Sequence, residues 1–545
     1  MSIGNQVHQD ASPGSTSPLS EEKVLPTAET DEVEYATGLK LFLIMLTILM
    51  STSLAAIEIG IIATAIPGIT DTFHRLNDVG WYGSVTFIMA SAAPMWGKVY
   101  KYLDIKYAYL ASIACYLVAS IVGGTARNSN AVIVGRALQG LGACGTLGGS
   151  LLVINYVASP SKRPVLIGVW MGIFMISTII GPLIGGAFTS GVSWRWCFYI
   201  NLPLGGPIIA LVLLFLKMPE HIRPAPATWM EILAQLDIPG FATFLASLVC
   251  LTLALQWGGQ TKPWNDGSVI ATFAVWIVLS IAFFAIERAQ GTKALIPFNL
   301  AKRRIIWSNA LYCFILNATL FLIMFYLPIY FQSIHGQSAI ISGVNNLPFL
   351  AFFALGAMTS GVVVGKTRLL QPYQLLSAVL MTVGSALFYT LEVGSSKARY
   401  IGPQIIFGFG LGLGSQVPVT AVQAFSAHED IPSATGIMIM CQAVGGAYFL
   451  DAAQSMFANR LLHTLKTASP GIDASLVLST GASDIRRSFA GDDLISVINA
   501  YMVGIHAVFI FAIASSALAV LLALLIPFKK LPIHVADQKD TATAS

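Results

Sequence analysis

The sequence predicts an all-α polytopic membrane protein, and three observations carry that prediction. Hydrophobic residues make up 55% of the 545 positions and charged residues only 10%, with a mean hydropathy of +0.73. Soluble chains carry about 25% charge. Apolar stretches near twenty residues recur along the chain, each long enough to cross about 30 Å of hydrocarbon. Lysines and arginines gather in alternate connections, the pattern left by the positive-inside rule.

Fourteen stretches qualify as spans: 40–66, 80–99, 106–123, 131–157, 163–188, 196–216, 238–257, 268–287, 307–331, 343–365, 372–392, 401–425, 434–457 and 501–527. The first 37 residues are polar and lack an early apolar core, so they read as a disordered cytosolic tail rather than a cleaved signal. With both termini inside, the inner turns hold Lys98, Lys101, Lys106, Lys162, Arg163, Lys217, Arg223, Arg288, Lys293, Lys302, Arg303, Arg304, Lys366, Arg368, Lys529 and Lys530. The outer turns hold isolated basics such as Arg75, Arg127 and Lys262. The inner turn at His428-Glu429-Asp430 is the exception, having no Lys or Arg. Residues 217–237 form a long inner connection with an amphipathic piece at 229–236, which either lies on the leaflet or is plain linker. Residues 458–500 form a long outer loop with a short apolar run, Leu476 to Leu478.

Six cysteines at irregular spacing offer neither metal spacing nor a disulfide framework. Ser360 to Thr367 nearly spells a phosphate-binding loop, but the first glycine is Ser360 and the stretch ends an apolar span. It reads as a helix end with basic residues, which removes the expected site for ATP. No nucleophile, metal or dinucleotide constellation appears in a credible context, so the chain is not expected to be an enzyme or to hold a cofactor.

The charged residues inside the spans point to chemistry. Glu58 lies eighteen residues into the first span, about 27 Å from its inner border. Arg136 enters the fourth span from outside, which places both in the outer half. A carboxylate and a guanidinium in hydrocarbon are costly unless they meet or face water. Glu58 and Arg136 therefore form a static pair, or sense protonation, or Glu58 lines a wet vestibule. Asp451 is a second carboxylate in a span, either titrating or held in a hydrogen-bonded seam, with Gln454 sharing its face. His506 in the last span reads as a packed, hydrogen-bonded residue before a proton relay. Gln256, Asn309, Asn317, Gln404, Gln416, Gln423 and Gln442 either line a substrate path or tie helices together. Gly140 in the fourth span, and Gly172, Gly181, Pro182, Gly185 and Gly186 in the fifth, allow close helix approach, a kink, or both.

Several of these motifs together resemble the major facilitator superfamily, and within it the fourteen-span drug:H+ antiporters of fungi. Ile57-Glu58 to Ala65-Ile66-Pro67 is similar to the first-helix signature, where the acid is usually aspartate. Arg136, Gln139 and Gly140 resemble the fourth-helix motif, whose arginine is linked to proton coupling. Gly172, Gly181, Pro182, Gly185 and Gly186 resemble the antiporter motif of the fifth helix. Trp194 to Pro203 is similar to the sixth-helix entrance, and Leu255 to Gly259 and Asp430 to Gln454 look like the toxin-pump branch. The loop after the second span departs from the pattern. Gly97 and Lys106 fit, but Lys101 stands at the usual acid position and Asp104 where a glycine belongs.

The resemblance implies a major facilitator fold with 14 transmembrane helices, twelve core and two inserted. The division would be a tail at 1–37, a six-helix bundle at 38–216, a linker at 217–237, the inserted pair and its loop at 238–300, a second bundle at 301–530, and a tail at 531–545. It implies proton-coupled efflux of a small amphipathic compound, a metabolite, toxin or drug, with Glu58, Arg136 and Asp451 as coupling residues. The expected partners are the substrate, protons and the bilayer, with no nucleic acid and a monomeric state. The membrane would be the plasma membrane, or the vacuolar one. An importer or siderophore permease on the same scaffold, and a receptor without flux, remain as alternatives.

Overall fold

The computed structural model describes residues 35–531 apart from 74–77, 219–221, 223, 225, 470, 473–475, 478–479 and 481–484. The two expected tails lie almost wholly outside the described residues, as do Arg75, Arg223 and Leu478. The chain runs α1 (Gly38–Phe73), α2 (Val79–Ala90), α3 (Ala93–Tyr102), α4 (Ile105–Gly124), α5 (Ser129–Val157), α6 (Arg163–Gly191), α7 (Trp196–Tyr199) and α8 (Asn201–Phe215). A short α9 (Trp229–Gln235) leads into α10 (Ile238–Trp257) and α11 (Gly267–Gln290). Then come α12 (Phe298–Ala301), α13 (Arg304–Ile329), α14 (Ala339–Asn345), α15 (Leu347–Thr367), α16 (Gln371–Tyr389), α17 (Lys397–Ser415), α18 (Val417–Phe425), α19 (Ile431–Ala468) and α20 (Gly491–Leu525).

Twelve of the helical stretches among the described residues are long and apolar enough to cross a membrane, against the fourteen expected. Two expected spans fall short by that measure, each for a local reason. The stretch 80–99 is broken at Ser91-Ala92, where Pro94 sits in the first turn of α3 and supplies no backbone N–H to continue α2. The stretch 372–392 becomes α16, whose 19 residues open on Gln371, Pro372 and Gln374. The outer loop expected at 458–500 is also shorter than read. The helix α19 continues 38 residues to Ala468, and α20 begins at Gly491. Between them Val477 is buried while Leu476 is half exposed.

Helix starts follow local chemistry. Asp104 accepts from Lys106 N at 2.8 Å and Asn128 from Ala131 N at 2.8 Å, capping α4 and α5. Thr228 and Glu231 form a reciprocal capping box on α9. Pro328 near the end of α13 precedes a π-helical turn over Tyr330–Ile334. The near-phosphate-loop sequence is the end of α15, closed by Arg368 at φ 59°.

Packing falls into two sets. In the first, α1 lies along α6, α4 and α2 along α5, and α8 against α1 and α4. In the second, α15 and α16 flank α17, and α13, α19 and α20 pack together. The sets meet most extensively where α6 touches α15 and α3 touches α19, beside lighter contacts of α19 with α2 and α5 and of α6 with α14. The two main meetings lie toward the basic end, the end bearing Lys98, Lys162 and Lys366. The pair α10 and α11 packs on itself and touches α19 and α2.

Candidate site: a buried ion pair beside a central cavity

Five helices of the first set build one polar cluster. Arg136 on α5 is 1% exposed and Glu58 on α1 is 3% exposed, and Arg136 Nη1 donates to Glu58 Oε1. Arg136 Nε donates to Tyr82 O at 3.0 Å, using a carbonyl from α2. The other carboxylate oxygen accepts from Asn201 Nδ2 of α8 at 3.2 Å, with Tyr116 OH of α4 at 3.5 Å. Asn201 and Gln139 both donate to Ser120 Oγ, at 3.0 and 3.2 Å. The pair is thus desolvated but hydrogen-bonded on both sides, which such a pair requires to persist in a low-dielectric interior. Gln139 supports the pair twice, through Ser120 and by accepting from Arg136 Nη1 at 3.5 Å.

Glu58, Tyr116 and Gln139 also face a cavity of about 100 Å³ between the two sets. The first set contributes Phe87, Trp170, Met171 and Phe174 to its wall, and the second contributes Asn317, Phe321, Ile439 and Gln442. Phe87 meets Phe321 edge-on across the cavity at 5.1 Å between centroids. Ligand pockets span roughly 300–1,000 Å³, so this cavity is small for a drug-sized cargo. A second cavity of about 320 Å³ lies between α1 and α6 on one side and α13 to α15 on the other, away from the basic end. At the basic end the sets are in backbone contact. A Cβ on Gly97 would stand 2.6 Å from Pro432 O, and one on Gly361 2.6 Å from Pro164 O.

The expected glycine seam is real for most of its members. A Cβ at Gly181 would lie 2.8 Å from Gly60 Cα and 2.9 Å from Ile61 N, and one at Gly185 2.9 Å from Ile61 O, so α6 rides on α1 backbone to backbone. Pro182 sits within this contact, against Gly60. Gly140 abuts the Thr86 backbone of α2. A Cβ on Gly172 would make only ordinary contact, 3.6 Å from Ala354 Cβ of α15. Gly186 departs from the expected seam, since its Cβ direction meets open space.

Other expected positions separate from the cavity. Asp451 accepts from Thr252 Oγ1 of α10 at 2.7 Å, while Gln454, expected beside it, accepts from Tyr326 OH. Asp451 does not line the cavity, and its partner comes from α10. Asn309 bonds Gln374 at 2.8 Å, and Gln404 bonds Tyr400 O and Phe349 N. These are ties between or within helices rather than a cavity wall. Gln256 is half-buried on α10 and Gln416 is buried at the α17–α18 break, both off the cavity. Asn317 and Gln442 alone of the expected path residues reach it. Lys106 donates to Leu213 O at 2.7 Å, capping the end of α8 rather than pairing with an acid. His506 bonds Leu391 O at 2.7 Å, the packed role read for it. Sequence reasoning did not single out Tyr82, Tyr116, Ser120 or Thr252, and met Asn201 only as part of the sixth-helix entrance. All are uncharged polar residues, whose facing is decided by packing. No group of three or more metal-ligating side chains occurs among the described residues.

The profile of the Major Facilitator Superfamily matches residues 48–450. A dehydrocurvularin exporter of Alternaria cinerariae is 62% identical over 515 residues, covering 94% of this chain and 89% of that protein. Efflux pump notK of Aspergillus sp. (strain MF297-2) is 62% identical over 502 residues, covering 92% and 89%. The solved human organic anion transporter MFSD10 shares the fold at a TM-score of 0.58 and 14% identity, covering 89% of this chain and all of that one. With the fold, the ion pair and these relatives in agreement, the chain belongs to the major facilitator superfamily, in the branch of the fungal efflux pumps it matches.

Proposed function

We propose that this protein exports a small amphipathic organic compound, a fungal secondary metabolite or toxin, in exchange for protons. The observation that carries this reading is a carboxylate–guanidinium pair, buried in one set of helices, whose carboxylate opens on a cavity shared by both sets. A proton reaching Glu58 from that cavity would cancel its attraction to Arg136 and release the Asn201 and Tyr116 contacts. That gives protonation a differential effect on two conformations, as coupling demands. The relatives named as an exporter and an efflux pump support the outward direction.

Fourteen crossings serve this function, counting the bent α2–α3 and α16, which opens on two glutamines. Both termini and the basic end then lie in the cytosol, in the plasma membrane. The backbone contacts at the basic end close the cytosolic side, and the cavity near α14 faces out. The two sets would act as half-bundles rocking about the central cavity. The expected monomer suffices, because the cavity is complete within one chain.

Comparing metabolites in medium and cells, with and without the gene, tests the reading. Intracellular accumulation of one compound on deletion is expected. Proton-driven uptake of that compound into inverted vesicles should follow, and uptake by intact cells instead would make the protein an importer. Gln442→Leu removes a polar group from the cavity wall. It is expected to raise KM several-fold, measured as initial rates in inverted vesicles, with protein yield unchanged.

A further inference from the structure

The inserted pair α10–α11 is fastened at its two ends to different sets of helices. At the basic end Lys98 of α3 is 3% exposed, and its ammonium donates to Gln235 O at 2.6 Å, Lys293 O at 2.6 Å and Ala294 O at 2.5 Å. All three of its protons are used. Gln235 ends α9 just before α10, and Lys293 and Ala294 follow α11. Two buried carboxylates lock the same turn. Asp237 accepts from Gly240 N at 3.0 Å and Leu295 N at 2.9 Å, and Glu287 accepts from Leu295 N at 3.2 Å and Ile296 N at 2.8 Å. Asp237 holds a left-handed φ of 47°, a backbone position that non-glycine residues seldom take.

At the other end the ties run to α19. Thr252 donates to Asp451 at 2.7 Å, Asn459 Nδ2 donates to Gly258 O at 3.2 Å, and Trp264 Nε1 donates to Asn459 Oδ1 at 3.4 Å. The helices at the two ends, α3 and α19, are themselves in contact at the basic end. There Gly97 meets Pro432, and a Cβ on Gly436 would lie 2.8 Å from Ala93 O. The hairpin therefore runs from the helix carrying one side of this closure to the helix carrying the other. Parting α3 from α19 at the basic end must strain one of the two fastenings.

We propose that Lys98 is a positioning residue of the transport cycle. It holds the inserted hairpin on the first set as a cross-tie that favours the closed basic end, and the Thr252–Asp451 end is the one that releases. The asymmetry follows from bond type. The Lys98 end has three charge-assisted bonds from one buried ammonium, and the other has one, with two longer neutral ones. This rests on alternating access but not on the cargo, so its test uses no flux.

The test uses the full chain in lipid nanodiscs, with native cysteines replaced and Ser433→Cys as a reporter. Ser433 is buried on α19, beside Gly97. Thr252→Val removes one hydrogen bond and is expected to speed maleimide labelling of the reporter roughly fivefold. Lys98→Met should do the same. If Lys98→Met fails to fold, Thr252→Val alone decides. Unchanged labelling in Thr252→Val overturns the cross-tie. The labelled reporter wedges the basic end open, and amide exchange then reads which fastening yields. Residues 255–266 should lose protection while 291–296 keep it. The opposite pattern overturns the assignment of the releasing end. A protein with no flux on any compound would refute the export reading and leave both readouts intact.

Discussion

Glu58→Gln is expected to abolish proton-driven efflux while leaving the fold in place. Glutamine keeps the shape and one carbonyl acceptor, so Arg136 retains a neutral partner and its bond to Tyr82 O. What is lost is the group that can take a proton. In proteoliposomes a pH gradient should drive no flux above leak, while downhill exchange of substrate for substrate continues. Full gradient-driven efflux in this variant would remove Glu58 from the coupling scheme. Arg136→Met should be far worse for stability. It leaves a carboxylate buried without its counter-charge, a class of change that costs about 3–5 kcal/mol. Combining Arg136→Met with Glu58→Gln should recover much of the lost folded yield, read by size-exclusion profile and thermal melting.

Gly181→Leu is expected to cause a large loss of folded protein. Even the first added carbon lies within 3 Å of Gly60 Cα and Ile61 N, and these are backbone atoms of α1 that cannot rotate aside. Overpacking of this kind costs about 1–3 kcal/mol, and the rest of a leucine side chain has nowhere to go. Gly186→Ala, five residues on in the same helix, should be harmless or slightly stabilising. Its Cβ meets nothing within 4 Å, and alanine is the better helix former. Melting temperatures of the two variants in detergent decide the matter. Equal losses would mean that the α1–α6 contact does not control stability.

The contrast between neighbouring glycines shows where sequence reading stops. Gly185 and Gly186 are adjacent in the motif, but a helix turns about 100° per residue, so only one of them can face α1. Glu58 and Arg136 were legible because charge in hydrocarbon forces a partner, and their depths matched. Asn201, Tyr116 and Ser120 were not, because a neutral polar group in a helix can satisfy itself locally. Asn309, Asn317 and Gln404 each bond a carbonyl four residues back. Polarity alone therefore does not mark a path. Asp451 was read against its own helix, where Gln454 stood at helical spacing, yet Thr252 from a helix 199 residues earlier took the contact. The bend between α2 and α3 was hidden for a similar reason, since Pro94 falls near the end of an otherwise continuous apolar run.

The length of α19 bears on how motion could be watched. Thirty-eight residues at 1.5 Å each make a rod of about 57 Å, longer than the roughly 40–45 Å of a bilayer with its headgroups. An upright α19 must therefore project into water by about 12–17 Å in total. Its Gly445 contact with Phe314 sits near mid-length, so a small tilt there is magnified at the Ala468 tip. A dye or spin probe on the exposed last turn, at Lys466 or Thr467, would report the angle of the whole helix from outside the lipid.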